Sequence, residues 1–199
     1  MDKIIAITGI DGAGKTTRAK KLATQLAGRG YEVRVIWVKS LHTLAYLIYR
    51  LFRWAKGPEY IINPNNVIVE HYTTEYMRKM GRLWALIEYI SLLPWLLIVT
   101  IEKALGHTVI CDRYITDFLA TVSLRVGDPL WWRKSLLGRH LLALQSKARV
   151  IYLSVPLAVV LERRVDIEYT ISELRTLAAT YKILSLTNSG KTSLCPLRL

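Results

Sequence analysis

Near the amino end, Gly9-Ile10-Asp11-Gly12-Ala13-Gly14-Lys15-Thr16-Thr17 carries glycines, a lysine and a hydroxyl at the spacing G-x-x-x-x-G-K-[ST]. That spacing suits phosphate chemistry. Glycines let successive backbone N–H groups turn inward around an anion, and a following helix presents its positive end to the same group. Lys15 is then within reach of β- and γ-phosphates, and the Thr16 hydroxyl is a ligand for Mg²⁺. Gly9, Asp11, Gly12, Ala13, Gly14, Lys15, Thr16 and Thr17 are therefore the residues expected to bind a nucleoside triphosphate.

Asp112-Arg113-Tyr114 closes an apolar run. Asp112 is placed to hold Mg²⁺ through water, or to cap the helix that follows. Arg113 offers a planar fork for a second phosphate, or an ion pair with Asp112 or a neighbouring acid. Asp11 sits in a loop built for anions. It is expected to hydrogen-bond a sugar hydroxyl, an arginine, or its own turn backbone. Glu162-Arg163-Arg164 precedes a short loop: arginines there can stabilise a transferring phosphoryl group, or simply form a solvated helix end. His42, His71, His107 and His140 share no ligand spacing. Among the tryptophans, Trp84 is the one to watch for stacking.

These residues need a scaffold. Lys3–Thr8, Val33–Val38, Thr108–Cys111 and Arg149–Ser154 are short apolar runs of the kind found in parallel strands covered on both faces. Helical spacing is predicted over Lys15–Ala27, Leu41–Phe52, Val67–Met80, Arg82–Leu105 (bent at Pro94), Ile115–Val126, Leu130–Ser146 and Pro156–Arg164. Thr170-Ile171-Ser172-Glu173 has the form of a capping box and opens a last helix to Ile183. Asn63-Pro64-Asn65-Asn66 marks a turn. Leu184–Leu186 is a candidate fifth strand. The expected fold is α/β and three-layered, a mostly parallel sheet of four to five strands with helices on both faces. It occupies residues 1–186 as one domain with a short lid at 163–170, and residues 187–199 form an irregular tail.

The chain has 199 residues, with 28 Lys and Arg against 15 Asp and Glu, for a net charge of +13. That balance suits polyanions, nucleotides among them. No arginine-rich run or basic–aromatic repeat points to nucleic acid as a partner. Cys111 and Cys195 have no metal-ligand spacing, and with no leader ahead of the first strand a reducing, cytoplasmic setting is expected. Leu83–Ile101 approaches the length of a bilayer span, but Glu88 within it argues for a buried helix, so no membrane partner is expected.

Taken together, these motifs resemble the thymidylate kinase family of P-loop nucleoside-monophosphate kinases. Residues 9–17 match its G-x-[DE]-G-x-G-K-[ST]-T loop. Asp112-Arg113-Tyr114 matches its D-R-[YF] motif. Leu153-Ser154-Val155-Pro156 followed by Leu161-Glu162-Arg163-Arg164 matches its strand, proline and lid segment. The resemblance implies a P-loop kinase fold and transfer of the ATP γ-phosphoryl, with Mg²⁺, to a deoxynucleoside monophosphate, foremost dTMP to dTDP in nucleotide biosynthesis. It implies Lys15, Arg113, Arg163 and Arg164 as catalytic groups, and Thr16 and Asp112 at the metal. Acceptor contacts are implied at Asp11, Lys39, Arg82, Arg113 and Tyr114, and a homodimer as the assembly. A kinase of a deoxynucleoside or other small alcohol, and a nucleotide-dependent module for nucleic acid or a membrane surface, are the alternatives. The family's turn after the second strand is replaced by Lys39-Ser40-Leu41-His42, and Asp117 stands where it has a small polar residue. Arg78, Arg82 and Trp84 are the candidates for reading the base.

Overall fold

Ile4-Ile5-Ala6-Ile7-Thr8 is apolar on both sides of its pleat, and this run becomes the middle strand of a parallel sheet. The computed structural model describes residues 3–38, 43–187 and 192–196. In chain order the elements are β1 (Ile4–Thr8), α1 (Lys15–Ala27), β2 (Val33–Trp37), α2 (Thr43–Lys56), β3 (Tyr60–Ile62), β4 (Ile68–Glu70), α3 (Glu75–Met80) and α4 (Arg82–Ala104). There follow β5 (Thr108–Asp112), α5 (Ile115–Val126), α6 (Trp131–Lys134), α7 (Leu136–Gln145), β6 (Arg149–Ser154), α8 (Leu157–Arg163), α9 (Ile171–Thr187) and β7 (Thr192–Pro196).

The main sheet runs β2-β5-β1-β6-β7, and each neighbouring pair is parallel. Alternation along β1 divides the core. Ile4 and Ala6 join Val109, Cys111, Val150 and Tyr152 on the face covered by α4, α5 and α9. Ile5 and Ile7 join Ile110, Leu153 and the Ala19 and Leu26 side of α1 on the other. Burial on both faces is why the strands read as unbroken apolar runs. The chain is thus α/β, a parallel sheet flanked by helices. A smaller apolar cluster of Ala45, Tyr49, Tyr76, Met77 and Trp84 joins α2, α3 and α4.

Four boundaries differ from expectation. Val67–Met80 is not one helix: β-branched Val67-Ile68-Val69 favours a strand, and Ile68–Glu70 pairs antiparallel with Tyr60–Ile62 around the asparagine turn. Leu130–Ser146 breaks at Ser135, whose hydroxyl accepts the Gly138 N–H at 3.0 Å and caps α7. Leu184–Leu186 continues α9, and the fifth strand is Thr192–Pro196, within the segment expected to be irregular. Its register places Leu194 opposite Tyr152.

Among the described residues one helix, Arg82–Ala104, is long and apolar enough to cross a membrane. Seven of its residues are buried against protein, Glu88 among them, and Pro94 lies within it. Glu88 accepts the Trp84 indole N–H at 2.6 Å and two bonds from Arg125 at 2.7 and 2.9 Å.

Candidate functional site

The carboxyl ends of β1 and β5 adjoin, so the loop after β1 and the residues after β5 meet at one sheet edge. In the loop, Gly9 has φ +147°, and a Cβ there would stand 2.7 Å from the Leu153 carbonyl of β6. Only glycine allows that approach. Gly14, at φ +82°, turns the chain into α1 as its N-cap. Lys15 is 5% exposed and folds back over the loop. Its ammonium donates to the carbonyls of Gly9 at 2.6 Å and Ile10 at 2.9 Å, and to Asp11 Oδ1 at 3.1 Å. Burial pulls the Lys15 pKa down, while Asp11 and Asp117 oppose that shift. Thr17 is exposed on the first turn of α1, and Ala13 is buried beneath the loop.

Asp112 and Arg113 leave β5 in different directions. Asp112 is 4% exposed, and its Oδ2 accepts the Thr16 hydroxyl at 2.6 Å. It does not cap α5, whose N-cap is Tyr114, itself buried. Arg113 stands at φ +70°, a left-handed conformation rare for arginine, with its N–H on the Ile7 carbonyl at 3.0 Å. Its guanidinium pairs with Asp11 Oδ1. Asp11 therefore faces Lys15 and Arg113, the arginine alternative among its expected partners. Burial raises the Asp11 pKa, but the charges of Lys15 and Arg113 outweigh it and hold the carboxyl well below its ordinary range. Burial likewise works against the charged form of Arg113, and Asp11 and Asp117 more than reverse this.

Asp117 completes the cluster from α5. Its Oδ1 lies 4.0 Å from the Lys15 ammonium and accepts the Tyr181 hydroxyl of α9 at 2.9 Å; its Oδ2 accepts the Tyr114 N–H at 3.3 Å. Full burial pushes its pKa up against the pull of Lys15 and Arg113. Asp117 was visible in the sequence only as a departure from a motif, and Tyr181 carried no signal at all. It meets Asp117 across 64 residues.

From the β6 side, α8 ends on the loop. A Cβ on Gly12 would lie 3.3 Å from Val160 and 3.5 Å from Arg164 Cγ. The Arg164 guanidinium makes a two-pronged bond to Asp166, at 3.1 and 2.8 Å. Arg163 is exposed on the last turn of α8. The structure thus joins Asp11, Lys15, Thr16, Asp112, Arg113 and Arg164, with Tyr114 beneath them. Three other candidates go elsewhere. Arg82 lines a groove of about 310 Å³ with Asp128, Trp131 and Lys134. Arg78 bonds Glu173 at 3.0 Å, and Trp84 is fully buried on Glu88. Lys39 lies outside the described residues. His71 bonds Glu173, His107 bonds Glu102, and His140 bonds Tyr89.

No protein-family model and no curated protein matches this chain.

Among the described residues no group of three or more His, Cys, Asp or Glu could hold a metal ion. A Mg²⁺ that shares its shell with phosphate and water needs fewer protein ligands. Asp112 Oδ1 is buried without a hydrogen-bond partner among the described residues, beside the Thr16 hydroxyl. An orphaned carboxylate oxygen next to a hydroxyl fits such an ion.

Proposed function

We propose that this chain moves the γ-phosphoryl group of ATP to a deoxynucleoside monophosphate, with dTMP the first acceptor to test, on a three-layer P-loop kinase scaffold. The observation that carries the reading is the division of labour at the end of β5. Asp112 goes to Thr16 and Arg113 to Asp11, on either side of one glycine loop. A loop aimed at anions supports one phosphate chain, and a separate guanidinium beside it supports a second phosphate.

In this reading an oxygen of the acceptor phosphate attacks the γ-phosphorus, and the bond to the β,γ-bridging oxygen breaks to release ADP. Such transfers ask the protein mainly for positioning and charge neutralisation. Lys15 exchanges its loop carbonyls for phosphate oxygens. Arg113 orients the acceptor phosphate, while Asp11 and Asp117 hold that guanidinium in place and charged. Arg164, with exposed Arg163 ahead of it, packs its Cγ beside Gly12 and is the cation expected to turn from Asp166 to the transferring phosphoryl group. Thr16 and Asp112 would hold Mg²⁺, which when bound neutralises charge on the phosphates.

A homodimer belongs to the same proposal. The outer side of α4 exposes Leu83, Leu86, Ile90, Leu93, Leu97 and Ile101 as an uncharged apolar stripe, a face that supports pairing with a second copy.

The test is ADP release coupled to a chromogenic reaction across a panel of nucleosides and monophosphates. Lys15→Ala is expected to lower kcat by about 10²–10³-fold. Arg113→Ala is expected to raise the acceptor KM more than the ATP KM. If no monophosphate stimulates release, dTMP and dUMP included, the proposal is wrong; stimulation by a nucleoside alone moves the acceptor to the alcohol class.

A further inference from the structure

The hairpin of β3 and β4 ends in Asn63-Pro64-Asn65-Asn66, and both Asn63 and Asn65 reach a distant part of the chain. Asn63 is 3% exposed. Its Oδ1 builds the turn, accepting the N–H groups of Asn65 at 2.9 Å and Val67 at 3.0 Å. Asn66, at φ +59°, closes the turn in a conformation asparagine tolerates. The Asn63 amide N–H₂ faces outward, donating to the carbonyls of Val165 at 2.7 Å and Ile167 at 3.2 Å. Asn65 does the same one step earlier, donating to Leu161 at 3.1 Å and Arg164 at 2.8 Å.

These acceptors are the backbone of the lid. Arg164 is the C-cap of α8, in an extended conformation, so the carbonyls around it have no continuing helix to satisfy them. Buried carbonyls need donors. A primary amide supplies two N–H groups from a short, stiff arm, whereas a carboxylate would meet the same carbonyls with like partial charge. A second anchor lies farther along. His71, following β4, and Arg78 of α3 both bond Glu173, which closes the capping box of α9 with Thr170 at 3.0 and 3.1 Å. The lid, residues 163–170, is thus held near both ends, through carbonyls of Leu161, Arg164, Val165 and Ile167 on one side and through Glu173 on the other, by residues 63–78.

We infer that Asn63 and Asn65 are positioning residues: the hairpin is a clasp that holds the lid backbone so that Arg164 stands over the glycine loop. The clasp follows from the hydrogen bonds alone, and its effect on turnover rests on the phosphoryl-transfer reading above. Hairpin and lid become one body, and any movement of Arg164 toward or away from Gly12 carries the hairpin with it.

The experiment compares the full-length wild type with Asn65→Ala, Asn65→Asp, Arg164→Ala and the double variant Asn65→Ala/Arg164→Ala. Limited trypsin digestion reads the clasp through cleavage after Arg163 and Arg164. Loss of two donors is expected to speed that cleavage about tenfold in both Asn65 variants. Steady-state ADP release with the best acceptor reads the positioning. Asn65→Ala is expected to lower kcat about tenfold with little change in the ATP KM, and to have no further effect where Arg164 is already alanine. A purely structural role would instead give losses that multiply. Unchanged cleavage overturns the clasp. Faster cleavage with multiplying kcat losses overturns the positioning role. If the wild type phosphorylates nothing, the kinase reading fails and the trypsin rates alone decide the clasp. Should Asn65→Ala lose its native circular dichroism, Asn65→Asp, which keeps the size of the side chain, carries both readouts.

Discussion

Asp11→Asn is expected to make the protein less stable and, on the phosphoryl-transfer reading proposed above, to make ATP bind more tightly. Asp11 Oδ1 is shared between Lys15, at 3.1 Å, and Arg113, and the three side chains are 21%, 4% and 18% exposed respectively. Removing one member of a buried ion pair strands its partners and costs about 3–5 kcal/mol. The partial exposure of Asp11 and the remaining carboxylate of Asp117 favour the lower end, about 3 kcal/mol. For a chain of this size that lowers Tm by roughly 6–12 °C. In the proposed reaction, however, the same bond must be broken before Lys15 can turn to a phosphate. Asn frees it in advance, and relief of one charge-assisted bond predicts ATP binding tighter by about tenfold. Saturating ATP should therefore restore more Tm to the variant than it adds to the wild type. Because its folded pKa is depressed, Asp11 stabilises the fold above pH of about 4 and loses that contribution only in strong acid, a dependence the Asn variant should lack. Thermal melts and calorimetric titration with ATP check both signs. Equal stability of the two proteins, or weaker ATP binding by the variant, refutes the reasoning.

Gly9→Ala is expected to lower Tm by several degrees, since the new Cβ meets the Leu153 carbonyl at 2.7 Å and backbone strain alone costs about 1–3 kcal/mol; a melt within a degree of wild type would contradict it. Arg125→Met should cost about 3–5 kcal/mol by removing the guanidinium that pairs with the buried Glu88 carboxylate, whereas Glu88→Leu/Arg125→Met should recover only part of that, because the buried Trp84 indole N–H then loses its acceptor, as denaturant titration will show. Glu173 has a depressed carboxyl: burial raises its pKa, and bonds from His71 and Thr170 more than compensate. Its stabilisation is thus full above pH of about 4.3 and fades as pH falls through the lower folded value. Glu173→Gln should remove that acid-sensitive portion, and melts from pH 3 to 7 measure the difference.

Much of the sheet and its loop was legible because the signals are local. The run from Ile4 to Thr17 contains its own strand, glycine turn and helix start, and Thr170-Ile171-Ser172-Glu173 caps itself within four residues. Asp112 and Arg113 could be placed at the sheet edge because Thr108–Asp112 ends there. What escaped depends on partners far along the chain. The segment after Val67 has an apolar spacing compatible with a helix; its β-branched run leans towards a strand, and pairing with Tyr60-Ile61-Ile62 decides it. Strand β7 exists through β6, not through any periodicity of its own. Asn63 and Asn65 announce a turn, and nothing local says that their amides reach Val165 or Arg164. Asp11 offered several partners until the fold brought Arg113 to it.

The adjacency of Asp112 and Arg113 makes the site an electrical polarity written in two letters. One residue delivers a negative charge to the helix side of the loop, and the next delivers a positive charge to its other side. Exchange of the two residues would reverse that sign pattern while leaving size and composition unchanged. A carboxylate would then confront the anion of the proposed reaction, and a guanidinium would stand where the hydroxyl of Thr16 now donates. The parallel register that sets Asp112 beside Ile7 fixes where the pair stands, and the order of the two residues fixes which sign goes to which side of the loop.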